Sequence, residues 1–376
     1  MIYFDQAATT RVKPDCVIAA VTQAMCTMGN SGRAVHGGSL DASRSIYEAR
    51  EKAAAFFGCP KARNVVFTSN ATESLNIALF GLLGPGDHVI ATDLEHNSVL
   101  RPLYHLERQG VEVSFLPADC LGNVQTEQLQ ELLRPNTRVI VCTHASNLTG
   151  NLIDIAAVGS FAKEHGLLFV VDASQTAGVF SLDMGKLGID VLCFTGHKAL
   201  LGPQGIGGMC IGEHVEIRPL KMGGTGVQTY LEEQPREYPT RLEAGTLNGH
   251  GIAGLSAAMD YILQIGMDAR REKELSLMRR FYEGVLEIEG MKVYGDFSGE
   301  RAPIVALNWR EVPSTELADV LWEEAGIATR AGAHCAPRMH RALGTEEQGA
   351  VRFSFGYDNT EEEVDEALRV LRRLCV

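Results

Sequence analysis

A chain of 376 residues is too long for one small domain and points to two or three units. Its 45% hydrophobic content supports a sizeable core, and 47 acidic against 34 basic residues (net charge −13) argue against nucleic acid or an anionic membrane as the main partner. No apolar run approaches the roughly 18 residues that span a bilayer, and Met1-Ile2-Tyr3-Phe4-Asp5 has no basic region followed by an apolar stretch, so neither a membrane anchor nor a signal peptide is expected.

From about residue 60 to 212, short β-rich runs alternate with helical patterns. Strands are expected at Val65–Thr68, Val89–Ala91, Val111–Leu116, Val139–Cys142, Leu167–Val171, Val191–Thr195 and Gly208–Ile211. Helices are expected between them at Glu73–Leu83, Val99–Gln109, Thr126–Leu133 and Ile153–His165. Fully apolar strands separated by helices imply a largely parallel sheet covered on both faces, with its functional groups at the carboxyl ends of the strands. Residues 213 to 245 show no clear period, and an irregular stretch of that length is often functional. Helical patterns follow at about 249–266 and 268–288. A smaller α+β unit then reads as strand Ile304–Leu307, helix Ser314–Ala325, strands Ile327–Thr329 and Val351–Phe355, and helix Glu361–Leu374. The nine cysteines stand singly, without a CxxC pair, which suits reduced thiols and a cytoplasmic setting. Histidines and cysteines show no metal-ligand spacing, so no metal is expected.

Two strand ends carry chemistry. Asp172 follows the apolar run Leu167–Val171, and Lys198 follows Cys193-Phe194-Thr195-Gly196-His197. A lysine that can bind an aldehyde, beside a carboxylate that keeps a ring nitrogen protonated, is what pyridoxal 5'-phosphate (PLP) needs. Ala71-Thr72 lies where a strand gives way to a helix, so free backbone N–H groups and the positive helix end can receive a phosphate. Taken alone, such a threonine is an ordinary helix cap.

The motifs Tyr3-Phe4-Asp5-Gln6-Ala7-Ala8-Thr9, Thr72-Glu73-Ser74-Leu75-Asn76, Glu95-His96-Asn97, Ser146-Asn147-Leu148-Thr149-Gly150, Asp172-Ala173-Ser174-Gln175, Thr195-Gly196-His197-Lys198, Glu243-Ala244-Gly245-Thr246-Leu247-Asn248 and Arg330-Ala331-Gly332-Ala333-His334-Cys335-Ala336 occur in this order. Together they resemble the class V aminotransferase group of fold-type I PLP enzymes, and within it the cysteine desulfurases and selenocysteine lyases. The resemblance implies an α/β protein. A large PLP-binding domain over 13–255 would hold a mostly parallel seven-stranded sheet covered by helices. A smaller α+β domain, 1–12 with 256–376, would carry the catalytic-cysteine loop.

The resemblance also implies roles. Lys198 would anchor the cofactor and move protons, His96 would stack on its ring, Asp172 would pair with the ring nitrogen, and Gln175 and Asn147 would lie near the phenolic oxygen. Thr195 and His197 would join Ala71 and Thr72 around the phosphate. Thr246 would reach the phosphate of an opposite subunit, which implies a homodimer with shared active sites. Arg352 would grip the substrate α-carboxylate, for which a planar two-pronged donor is suited, and Asn147 would lie near that carboxylate. Arg330 and His36 would also bind substrate, and Arg33 and His36 would belong to an entry-loop segment near the site. Cys335 would act as the thiolate that takes sulfur from the substrate, helped by its basic neighbours. Its short loop is similar to the RxGHHCA motif of the group II (Suf-type) enzymes, with Ala333 where that motif has a further histidine. A short loop travels little, so a sulfur-acceptor protein would come to it.

The reaction implied is conversion of L-cysteine to L-alanine with a persulfide on Cys335, for iron–sulfur cluster or cofactor assembly. Two alternatives stay open at this level: a lyase that acts on L-selenocysteine and releases selenide, and a PLP-dependent β-lyase or aminotransferase in which Cys335 is a bystander.

Overall fold

The computed structural model describes residues 1–29 and 37–375. The chain opens with a short strand, β1 (Ile2–Tyr3), and two helices, α1 (Asp15–Thr27) and α2 (Gly37–Phe57). Strand and helix then alternate through β2 (Val65–Thr68), α3 (Ala71–Leu82), β3 (His88–Thr92), α4 (Asn97–Glu107), β4 (Glu112–Leu116), α5 (Leu129–Leu132) and β5 (Thr137–Thr143). The series continues with α6 (Ile155–Glu164), β6 (Leu168–Asp172), α7 (Met184–Leu187), β7 (Val191–Thr195) and β8 (Gly207–Ile211). After an irregular stretch come α8 (Gly249–Ile265), α9 (Met267–Leu286), β9 (Met291–Tyr294), β10 (Ile304–Trp309), α10 (Ser314–Ala325), β11 (Ile327–Ala328), α11 (Pro337–Leu343), β12 (Val351–Ser354) and α12 (Glu361–Leu374).

Strands β2 to β8 form one seven-stranded sheet in the order β2-β8-β7-β6-β5-β3-β4. The run from β7 to β4 is parallel, and β8 lies antiparallel to both β7 and β2. Alternate side chains enter opposite cores. Phe169, Val171, Leu192 and Phe194 face one layer with Phe57, Val158, Leu255 and Met259 from α2, α6 and α8. Val170, Val191 and Cys193 face the other with Leu75, Leu79 and Leu103 from α3 and α4. Burial on both faces is why these strands read as unbroken apolar runs.

A second sheet, β12-β10-β9, is antiparallel, and β1 pairs in parallel with β11 beside it. Phe4, Phe281, Phe353 and Phe355 pack as one aromatic cluster against Leu371 of α12 and Leu321 of α10. Helix α12 starts with a capping box, in which Thr360 and Glu363 satisfy each other's backbone N–H groups. Helix α8 runs unbroken from Gly249 to Ile265, and its Ala258, Met259 and Ile262 stay in the core of the seven-stranded sheet.

Helices α1, α2, α7 and α11 and strands β1 and β9 have no counterpart in the elements expected above. The signal for α2 was present: Ala42, Ile46, Ala49, Ala53 and Phe57 recur every three or four residues and are buried. The segment expected as a helix at Thr126–Leu133 is a 3-10 turn, Thr126–Gln128, followed by the single turn of α5. Among the described residues, no helix is long and apolar enough to cross a membrane.

Candidate active site

The site forms at the carboxyl ends of the parallel strands, where helix starts and connecting loops leave backbone donors unpaired. At the first crossover, β2 turns into α3 through Asn70, whose side chain caps the helix by accepting the Glu73 N–H at 2.9 Å. The N–H groups of Ala71 and Thr72 have no partner within the helix by geometry, and both residues line a cavity of about 180 Å³. Strand β8 presses against this turn at Gly207. A Cβ there would stand 2.9 Å from the Asn70 backbone, so only glycine permits the approach.

Asp172 ends β6 and is 3% exposed. Its Oδ1 accepts from Ser174 N at 2.9 Å and Ser174 Oγ at 2.5 Å, which fixes the carboxylate toward the same cavity. Beyond the end of β7, Gly196 makes the bend that delivers Lys198, and a Cβ at 196 would strike Ile206 O at 2.9 Å. Lys198 lines the cavity deep in the protein. Burial pushes its amine down to about 8, with Arg352 and Arg330 helping and Asp172 opposing. A lysine near 8 has a ready supply of the free amine at neutral pH.

His96 caps α4 by accepting Ser98 N–H on Nδ1 at 3.0 Å. Burial, then the Lys198 charge, pushes it down to about 4. The ring is therefore neutral, and its proton sits on Nε2. Ser98 also meets Thr72 Oγ1 at 2.7 Å, so cap, threonine and histidine form one network. Gln175 is 8% exposed and donates to Ala7 O at 3.2 Å. His197 is likewise pushed down to about 4, first by burial. Three lining residues carry a buried polar atom with no partner: Thr195 Oγ1, His197 Nδ1 and Asn147 Oδ1. Leaving such atoms unpaired is unfavourable, and a polar ligand in the cavity would satisfy them.

The Cys335 loop meets this cavity at its rim. Asn97 N–H donates to Cys335 O at 2.8 Å, and Asn147 Nδ2 donates to His334 O at 2.7 Å. His334 is pushed down to about 3 by burial and meets Arg330 O through Nε2 at 3.1 Å. His334 and Cys335 both adopt left-handed backbone, at φ 49° and 57°. Side-chain-bearing residues take that conformation at some cost, and such strain clusters at functional sites. Arg338 is committed elsewhere: its Nε pairs with Asp93 Oδ1 at 2.6 Å, and its guanidinium lies 3.7 Å from the Phe115 ring centroid.

Arg352 is 1% exposed on β12. Its Nη1 donates to Asn147 O at 2.8 Å and its Nη2 to Asp5 Oδ1 at 2.7 Å, while Nε is buried without a partner. Asn147 thus joins the cavity, the cysteine loop and the arginine. Arg330 pairs with Arg352 through the backbone. Cys335, Arg330 and Arg352 lie beyond the 180 Å³ cavity itself. Thr246 is exposed and borders a separate hollow with Lys221 and Glu243, so this chain does not bring it to its own cavity. Arg33 and His36 lie outside the described residues. Ser98, Ser174 and Asp5 were missed as individual site residues, and so was Glu95, which is fully buried and pushed up to about 8 by burial while Thr92 Oγ1 and Thr143 N donate to it. Among the described residues, no group of three or more His, Cys, Asp or Glu could hold a metal ion.

Residues 2–367 match the sequence model described as Aminotransferase class-V. A protein of Methanothermobacter thermautotrophicus named probable cysteine desulfurase is 35% identical over 370 residues, covering 96% of this chain and 92% of that one. The cysteine desulfurase of Haloferax volcanii is 32% identical over 375 residues, covering 97% and 87%. Among solved structures, the apo cysteine desulfurase of Thermococcus onnurineus NA1 superposes with a TM-score of 0.92 at 34% identity, covering 100% of this chain and 94% of that one. The cysteine desulfurase CsdA of Escherichia coli, in an S-sulfonic acid form, gives 0.88 at 29% identity, covering 100% and 95%.

Proposed function

This chain belongs to the class-V aminotransferase family, and we propose that within it the protein is a PLP-dependent cysteine desulfurase that turns L-cysteine into L-alanine and keeps the sulfur as a persulfide on Cys335. The observation that carries this reading is the meeting of three groups through Asn147: a cavity that holds Lys198 and Asp172, an unsatisfied arginine Nε, and a half-buried thiol loop.

The residues present fit the cofactor. Ala71 and Thr72 N–H, Thr195 Oγ1 and His197 Nδ1 would hold its phosphate, Asp172 its ring nitrogen, Gln175 and Asn147 its phenolic oxygen, and Lys198 its aldehyde carbon. When bound, it supplies an electron sink that lets the substrate Cα–H bond break. Arg352, whose Nη1 and Nη2 are held by Asn147 O and Asp5 while its Nε has no partner, would offer that N–H to the substrate α-carboxylate. Lys198 Nζ, once free, takes the proton from Cα and returns protons to the carbon skeleton. Neutral His96 keeps its Nε2 proton and offers it to oxygen or sulfur in the cavity. Cys335 Sγ bonds to the substrate sulfur as the C–S bond breaks. The sum is L-cysteine plus thiol giving L-alanine plus persulfide, with no external oxidant.

The same reading extends to the assembly. Thr246 is exposed in a region that also exposes Met222, Tyr230 and Leu231, which supports a homodimer in which each chain completes the other's phosphate site. We take residues 13–255 as the cofactor-holding unit and 1–12 with 256–376 as the unit bearing the cysteine loop, with α8 spanning their seam. A cytoplasmic setting agrees with nine free thiols, and an acceptor protein would collect the sulfur at the short loop. Mass spectrometry after exposure to L-cysteine tests the proposal. One added sulfur on the peptide containing Cys335, with an equivalent of alanine, is expected. Pyruvate and sulfide without modification of that peptide would overturn it.

A further inference from the structure

Lys198 lines a second cavity besides the one already described, and this smaller one has a volume of about 30 Å³. Its walls come from the N-terminal segment, α9 and the end of β12, through Gln6, Arg270, Glu274 and Ser354. A water needs on the order of 10–15 Å³ of such space, so the cavity has room for about two.

Gln6 is 5% exposed and its Oε1 is buried without a partner. The amide cannot turn round to relieve this. Its Nε2 donates to Asp358 Oδ1 at 2.9 Å and to Asn359 Oδ1 at 3.2 Å, both acceptors. Asn359 is itself fixed, because its Nδ2 donates to Tyr3 O and Glu363 Oε2 while its Oδ1 accepts Gly356 N–H. Flipping Gln6 would set oxygen against oxygen. The amide orientation is therefore fixed, and Oε1 of this lining residue lacks a donor.

Several other polar wall groups have partners, Gln175 Nε2 among them through Ala7 O. Arg270 donates to Glu274 Oε1, Gly178 O and Ala199 O. Ser354 Oγ donates to Phe4 O and accepts from Ala7 N. Thr10 Oγ1 is taken by the carbonyls of His197 and Lys198. A small neutral donor that also accepts is what remains, in a space sized for it and bordered by Lys198.

We propose that this cavity is a water site, held by Gln6 Oε1, which solvates Lys198 and exchanges the protons of its amine during turnover. The proposal rests on the role of Lys198 given above. After Lys198 takes a deuteron from the Cα of α-deuterated cysteine, the ammonium passes it to the water and receives a proton back. The exchange is R-NH2D⁺ plus H2O giving R-NH3⁺ plus HDO, with no change in redox state. Without the water, the amine would return the deuteron to the carbon skeleton.

Two readouts test it. The first needs no turnover: a high-resolution crystal structure should show ordered water within hydrogen-bond distance of Gln6 Oε1, and Gln6→Met should lose it. A dry cavity in the wild-type protein would overturn the proposal. The second measures deuterium in alanine formed from α-deuterated L-cysteine in ordinary water. Gln6→Met should raise retention several-fold over wild type, while Asp358→Ala, which cuts the same glutamine's anchor and leaves Oε1 in place, should not. Unchanged retention in Gln6→Met, or an equal rise in both variants, would overturn it. If the wild-type protein forms no alanine at all, the desulfurase reading fails, and the crystallographic readout still decides the water site.

Discussion

The cavity and the cysteine loop that borders it are built on opposite plans. The polar groups of the cavity hang from the ends of buried strands, the first turns of helices and the short turns that directly follow β5, β6 and β7, and glycines at 196 and 207 let backbone approach backbone. The loop has no such foundation. It is held by hydrogen bonds instead: Asn97 and Asn147 donate to its carbonyls, His334 Nε2 meets Arg330 O, and Gly332 N–H donates to Ser314 Oγ, while His334 and Cys335 take left-handed backbone. A rigid frame suits a cofactor that must be positioned closely, and a thiol carried on a connecting loop suits a group that must deliver sulfur onward.

The largest effects should separate the two regions. Lys198→Ala and Cys335→Ala are each expected to lower alanine formation at least about 10³-fold, the scale of losing a general base or a nucleophile. Only Lys198→Ala should also abolish the visible absorbance of the bound cofactor. If Cys335→Ala loses the colour as well, the loop is part of the frame and the contrast is wrong. Normal alanine formation in Cys335→Ala would remove the thiol from the reaction.

Arg352 lies where the two plans meet, and Arg352→Lys sharpens the comparison. The charge facing Asp5 is kept and the planar fork is lost, at about 1.5–3 kcal/mol for a charge-assisted hydrogen bond. KM for L-cysteine should rise roughly 10- to 100-fold, with a much smaller change in kcat. An unaltered KM would mean that the carboxylate is held elsewhere.

A residue is legible in the sequence to the extent that its environment is made locally along the chain. The strands β5, β6 and β7 print directly as apolar runs because both of their faces are buried, and Asp172 and Lys198 stand out as the charges that end such runs. Glu95 did not, because a glutamate in a turn reads as solvated. Its complete burial comes from Thr143 on a strand 48 residues away. The partner of Arg352 lies 347 residues upstream at Asp5, beyond the reach of any local pattern. The strain at His334 and Cys335 leaves no mark either, since neither residue type favours left-handed backbone as glycine does.

Glu95 provides a pH test of the frame. Burial, opposed by its hydrogen bonds from Thr92 and Thr143, raises its carboxyl from the ordinary 4.5 to about 8. Between those values the folded chain holds a proton that the unfolded chain has lost. Stability attributable to this group is therefore highest below about 4.5, falls as pH rises, and levels off above about 8. Glu95→Gln should flatten the decline of Tm across that window, as thermal melts at a series of pH values would reveal. Parallel pH profiles for the two proteins would show that Glu95 is already ionised in the frame.

The smallest expected effect tests whether the loop's hold is shared with the helix behind it. Helix α11 starts at Pro337, directly after the loop, and Arg338 in its first turn ties it to the large sheet through Asp93 and the Phe115 ring. The side chains are 25% and 14% exposed, so the pair is worth less than a buried one, on the order of 1 kcal/mol with the stacking included. Arg338→Ala should leave cofactor absorbance and the KM for L-cysteine unchanged, because neither group touches the cavity. It should slow persulfide formation at Cys335 a few-fold, because the thiol samples its working position less often when its anchor is loosened. Rapid-quench measurement of sulfur on the Cys335 peptide reads this directly. A change in absorbance or KM without a change in that rate would place Arg338 with the frame and erase the distinction between the two regions.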